Sequence, residues 1–267
     1  MTDGSEDQHT TDEGQNAGDG PQPSRESGKL VRLLKPVVVL PVGPKGFDES
    51  VISSRFYNAF NYSMIAKSQT GVNMVIGVIS ANKGEGKTLV ASNLAVSLAT
   101  VNERDTILVD LSVAAPLLHT IFGTNLSPGL AEALDEPMVH VSETRIPHLF
   151  ILPAGNAYGN LMMVDRLTTG KTPRQRVTTP SLGLEHVAEF RNIIYSLREE
   201  FDFVIVDMPA VREPGVPVLL THQMDGVLVV VDANRTKRED IDKMFRRIHE
   251  NHVIGFVFNR VSDDFTG

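Results

Sequence analysis

The 267-residue chain is predicted to fold as an α/β protein, a mostly parallel, doubly wound sheet with helices on both faces. Three observations carry this expectation. Six short apolar runs, at 74–79, 106–109, 149–152, 203–206, 227–231 and 253–258, read as strands buried on both faces. Helical stretches at 86–101, 184–200 and 236–249 lie between several of them. The first run leads directly into a glycine-rich turn and then an apolar-periodic helix.

Taken in order, residues 1–29 carry seven acids against two bases, a net of −5, with almost no aliphatic side chain. Such a segment buries too little to offset the entropy of ordering, so a disordered acidic leader is expected. The remaining 238 residues hold 26 acids and 23 bases. That near balance argues against a broad basic face, and no nucleic-acid partner is expected. Residues 30–72 read as an extension of the main domain (30–267), with apolar groups near helical spacing over 48–67. The polar, basic stretch 166–180 has no periodicity and reads as a loop. In the last helix, Thr236 and Glu239 have the spacing of a capping box. There is no cysteine, which excludes disulfides, thiolate metal sites and cysteine nucleophiles. No apolar run reaches the roughly 20 residues that span a bilayer, and no secretory h-region is present.

The segment 74–88 is the richest in chemistry. A strand enters Gly84-Glu85-Gly86-Lys87-Thr88, and Leu89, Ala91, Leu94, Ala95 and Leu98 continue as a helix. Glycines let the backbone curl until several N–H groups converge on phosphate oxygens at the positive end of that helix. Lys87 is then suited to the β- and γ-phosphates, and the Thr88 hydroxyl to Mg²⁺. The strict pattern asks for glycine where this chain has Ala81. Two further strands end on carboxylates, Asp110 and Asp207, at the sheet edge where ligands of parallel sheets sit. Each acid is a candidate metal ligand, or else a turn-initiating aspartate.

On these residues the chain resembles the deviant-Walker P-loop ATPases. Within them it is similar to the bacterial tyrosine kinases of capsule and exopolysaccharide synthesis, over about residues 48–261. The resemblance also rests on Pro116-Leu-Leu-His-Thr-Ile-Phe-Gly123, Leu152-Pro-Ala-Gly155, the Asp207-Met-Pro turn and Gly255-Phe-Val-Phe-Asn-Arg260. It implies ATP or ADP with Mg²⁺ as ligands, held by Lys83, Gly84, Glu85, Gly86, Lys87, Thr88 and Leu89 and by Asn259 and Arg260. Asn259 is implied to lie near the adenine. Thr88, Asp110 and Asp207 are the implied Mg²⁺ ligands, and Lys87, Asp110 and Asp207 the implied catalytic residues. An inner-membrane activator of the polysaccharide co-polymerase type, a homo-oligomer, and a cytoplasmic or peripheral membrane location are implied as well.

The departures shape the expected activity. The family reads Asp-x-Asp-x-Arg after the second strand, where this chain has Asp110-Leu-Ser112-Val-Ala114. The partitioning ATPases carry a signature lysine where this chain has Asn82, followed by Lys83. The ring-forming motif keeps Glu49 and Arg55 but has Ile52 between them, and the terminal tyrosine cluster is missing. The four tyrosines are Tyr57, Tyr62, Tyr158 and Tyr195. The resulting expectation is an ATP-binding protein that regulates polysaccharide polymerisation or export, with weak or absent kinase activity. The alternatives are an active tyrosine kinase on other proteins and a partitioning or positioning ATPase.

Overall fold

Seven strands form one sheet in the order β5–β6–β3–β7–β2–β8–β9. In the computed structural model, which describes residues 32–34, 73–136, 138–156, 186–212, 218–248 and 250–260 together with Met1, these are β2 (Met74–Ser80), β3 (Thr106–Asp110), β5 (Ser142–Glu143), β6 (Leu149–Leu152), β7 (Phe203–Asp207), β8 (Gly226–Asp232) and β9 (Val253–Asn259). All pairings are parallel except β5 with β6. A separate parallel pair joins β1 (Arg32–Leu34) to β4 (Met138–His140). The helices are α1 (Lys87–Val101), α2 (Leu118–Phe122), α3 (Leu130–Asp135), α4 (Val187–Glu200) and α5 (Arg238–Phe245).

The two-residue period of each strand divides its side chains between two layers. Val75, Ile79, Ile107, Val109, Val204, Val206, Val227 and Val229 pack with Phe190, Ile193 and Leu197 of α4 and Met244 of α5. Ile76, Val78, Leu108, Phe203, Ile205, Leu228 and Val230 pack with Val90, Leu94, Ala95 and Leu98 of α1. Each fully buried aliphatic or aromatic side chain of this kind stabilises the fold by about 1.5–3 kcal/mol relative to exposure. Every residue of β3, β7 and β8 is buried, which explains why these strands read as unbroken apolar runs.

Two local expectations are corrected, and one motif gains a structural role. Leu89 does not belong to the buried stripe of α1; it is 53% exposed, and Val90 takes the inward position. The Thr236–Glu239 capping box is not formed. Helix α5 starts after Lys237 with no side-chain cap, because the Thr236 hydroxyl is committed to Glu85, 2.6 Å away. The motif Leu152-Pro-Ala-Gly155 serves as a docking rail for α3: Leu130 and Ala131 N–H donate to the Pro153 and Ala154 carbonyls at 2.8 and 2.9 Å. The leader beyond Met1, the expected helix at 48–67 with Glu49, Ile52 and Arg55, the expected loop at 166–180, Tyr57, Tyr62 and Tyr158 lie outside the described residues.

Candidate nucleotide-binding site

The site forms at the carboxyl edge of β2, β3 and β7, where strand order brings together residues far apart in sequence. Asp110 and Asp207 are directly paired residues at the ends of neighbouring strands, and β7 also lies beside β2, which feeds the glycine-rich loop. Lys87 and Thr88 open α1. The residue before them, Gly86, is left-handed (φ 98°), and no side chain caps the helix. The first-turn N–H groups of a helix lack intrahelical partners, so an end without a side-chain cap suits an anion.

Internal hydrogen bonds fix the shape of the loop. Glu85 is buried, accepting from the Asn82 N–H and Asn82 Nδ2, each at 3.0 Å, and from the Thr236 hydroxyl. Its side chain therefore braces the loop from behind. Asn259 Nδ2 donates to the Glu85 carbonyl at 3.0 Å, and its Oδ1 accepts from the Arg260 N–H at 3.0 Å. Arg260 pairs with Asp232 and is itself left-handed (φ 60°). Burial pushes the Asp232 carboxyl up, but the Asn234 N–H and the Arg260 guanidinium outweigh it and hold the group below its usual range. Lys83 and Gly84 are exposed at the crest of the loop.

The carboxylates differ in how they are held. The Thr88 hydroxyl donates to Asp207 Oδ2 at 2.7 Å. The other oxygen, Oδ1, is buried with no hydrogen-bond partner among the described residues. Burial and then the Asp110 charge push the Asp207 carboxyl up to about 7, against the Thr88 hydrogen bond and the Lys87 charge. Asp110 accepts three backbone N–H groups, Ser112 at 3.0 Å, Leu117 at 3.1 Å and Leu118 at 3.2 Å. Burial still raises its pKa. Asp110 thus ties down the 112–118 turn as well as facing the site.

A buried oxygen without a partner calls for an explanation, and a divalent cation held by Thr88 and Asp207 would supply one. Mg²⁺ keeps several waters and takes one or two carboxylates plus phosphate oxygens. No cluster of three His, Cys, Asp or Glu side chains able to hold a metal occurs among the described residues. The residues present fit Mg·nucleotide.

The raised Asp207 pKa has a consequence for stability. The folded protein keeps this proton up to about pH 7, whereas the unfolded chain releases it near the ordinary value of 3.8. Without Mg²⁺, stability is therefore expected to fall as pH rises between those values, by about 1 kcal/mol from pH 5.5 to 6.5. Urea unfolding across that interval should show the slope, and Asp207→Asn should flatten most of it. An unchanged slope in the variant would assign the proton to another group.

Comparison with known proteins agrees with this architecture. The family model described as the CobQ/CobB/MinD/ParA nucleotide binding domain matches residues 76–267. A tyrosine-protein kinase CpsD of Streptococcus agalactiae is 25% identical over 201 residues, covering 72% of this chain and 76% of the relative. A putative tyrosine-protein kinase CapB of Staphylococcus aureus is 20% identical over 81% of this chain and 87% of its own length. Among solved structures, the chimerical protein CapA2B2 superposes with a TM-score of 0.61 at 25% identity, covering 80% of this chain and 86% of that one. No helix among the described residues is long and apolar enough to cross a membrane.

Proposed function

The chain belongs to the CobQ/CobB/MinD/ParA nucleotide binding domain family, and from that premise we propose that it binds ATP and ADP with Mg²⁺ and regulates polysaccharide polymerisation or export, with weak or absent tyrosine kinase activity. The observation that carries the binding is the Thr88–Asp207 pair, with its buried, unpartnered oxygen beside the lysine-bearing end of α1. Lys87 and the loop from Lys83 to Leu89 hold the phosphates. Thr88 and Asp207 hold the cation, with Asp110 in the adjoining position. Asn259 and Arg260 stand on the side of the loop assigned to the base. Mg²⁺ supplies charge neutralisation along the phosphate chain.

Weak transfer follows from the carboxylate arrangement. Asp110 spends three hydrogen bonds on backbone N–H groups, and Ser112 in place of the family's second acid adds no charge. Ser112→Asp is therefore expected to raise ATP hydrolysis by about tenfold, a barrier change near 1.4 kcal/mol. A phosphate-release assay with Mg·ATP reads it, and unchanged turnover would remove Ser112 as the limiting residue.

Through its resemblance to the kinases of capsule and exopolysaccharide synthesis, the proposed partner is a polysaccharide co-polymerase-type protein at the inner membrane face, with a homo-oligomer as the working form. Calorimetric titration of the full chain with Mg·ADP and Mg·ATP tests the reading, and absence of binding to both would overturn it. Phosphotyrosine mass spectrometry after incubation with ATP tests the kinase half; efficient transfer to any tyrosine would make the protein a kinase in its own right.

A further inference from the structure

An arginine on the turn after β7 stands against the glycine-rich loop. The backbone there is pinned: Val211 N–H donates to the Ser80 carbonyl at 3.0 Å, and the Arg247 guanidinium donates to the Val211 carbonyl at 2.6 Å. The next residue, Arg212, sends Nη1 to Asn82 Oδ1 at 2.9 Å and to the carboxylate of Asp240. Asn82 lies inside the loop, and its Nδ2 bridges Glu85 and Asp240 at 3.0 and 3.2 Å. Arg212 thus emerges where β2 and β7 end side by side, at the edge where ligands of parallel sheets bind.

The charge inventory makes this position informative. The resembling families place a lysine at position 82 or an arginine at position 114, and this chain has Asn82 and Ala114 there. Arg212 brings a positive charge to the glycine-rich loop from a different segment. Its side chain is 44% exposed and can leave the pair, whereas that of Asp240 is 15% exposed and stays in place. Phosphate oxygens offer the planar fork a stronger, bidentate partner than a rim carboxylate. Asp240 does not depend on the arginine. It sits in the first turn of α5, where the helix dipole favours a negative charge, and it keeps its bond from Asn82.

We propose that Arg212 exchanges Asp240 for the terminal phosphate of a bound nucleoside triphosphate, acting as an intrachain arginine finger that distinguishes ATP from ADP. The inference rests on the nucleotide-binding reading above and deepens it. In the triphosphate complex the guanidinium contacts the outermost phosphate oxygens, while Asn82 and Asp240 remain joined to each other. In the diphosphate complex the arginine keeps Asp240.

Calorimetric titration of wild type, Arg212→Ala, Arg212→Lys and Asp240→Asn with Mg·ADP and a non-hydrolysable Mg·ATP analogue tests it, with Mg·ADP binding reporting a folded site in every variant. Arg212→Ala is expected to weaken the triphosphate by about tenfold or more and leave the diphosphate within about twofold. Arg212→Lys should fall between that variant and wild type. Asp240→Asn, which releases the arginine without removing it, should raise the preference for triphosphate. An Arg212→Ala variant with the wild-type ATP-to-ADP ratio, whether through no change or equal weakening, overturns the proposal and leaves nucleotide binding standing. An unchanged or lowered preference in Asp240→Asn overturns it too. Wild type that binds neither nucleotide removes the binding reading and this proposal together.

Discussion

Replacing Lys87 with alanine is expected to weaken Mg·ATP and Mg·ADP binding by at least a hundredfold, roughly 3 kcal/mol. Lys87 is the first residue of α1 and is buried, so water does not readily take the place of its charge in the variant. The same charge acts on Asp207, whose pKa it lowers against the larger effect of burial. The variant should therefore show a second signature besides lost affinity. The Asp207 carboxyl should titrate higher still, and the pH dependence of urea unfolding should extend further toward alkaline pH. Retained affinity together with an unmoved pH profile would mean that Lys87 faces neither the phosphates nor Asp207.

Gly86→Ala is expected to cost about 2–3 kcal/mol of stability and to remove nucleotide binding. Two terms add. At φ 98° an L-residue with a Cβ is strained by about 1–2 kcal/mol. A Cβ there would also lie 2.1 Å from Asn259 Nδ2, so the amide must move and give up its bond to the Glu85 carbonyl, worth about 1 kcal/mol. A double-mutant cycle with Asn259→Ala separates the two. The contact part should vanish in the double variant while the backbone part persists. Strict additivity of the two substitutions would show that the glycine is needed for its dihedral angle alone.

The second result also marks where sequence reasoning stops. Gly86 was legible as a glycine that lets a backbone curl toward phosphate, but the side chain that forbids anything larger comes from the far end of the chain. The buried strands announced themselves because β3, β7 and β8 are almost wholly apolar before their terminal acids, and α4 is long enough to show a period. Helices α2 and α3, at 5 and 6 residues, are too short for periodicity to register. Lys87, Thr88, Asp110 and Asp207 could be picked out one by one from their places at strand and helix ends. Their division of labour could not. Nothing local says that Asp110 holds a turn through three N–H groups while Asp207 keeps an oxygen unpartnered. Thr236 shows the same limit: its spacing to Glu239 fits a cap, yet a glutamate on the phosphate-binding loop takes its hydroxyl. Arg212 belongs to no recognisable motif, and only its position beside Asn82 gives it a role.

The strand order has a consequence for how the protein is made. β7 sits between β2 and β3, although both of its neighbours are synthesised long before it. Until β7 emerges, the loop and Asp110 have no common wall, and Asp207 does not yet exist to meet Thr88. Pairings between segments so distant in sequence close slowly, and during synthesis the early strands must wait with their apolar faces uncovered. A nascent chain that stops before residue 207 therefore carries a complete phosphate-binding motif and no site. Nucleotide can reward folding only after that strand is in place, by trapping it between β2 and β3.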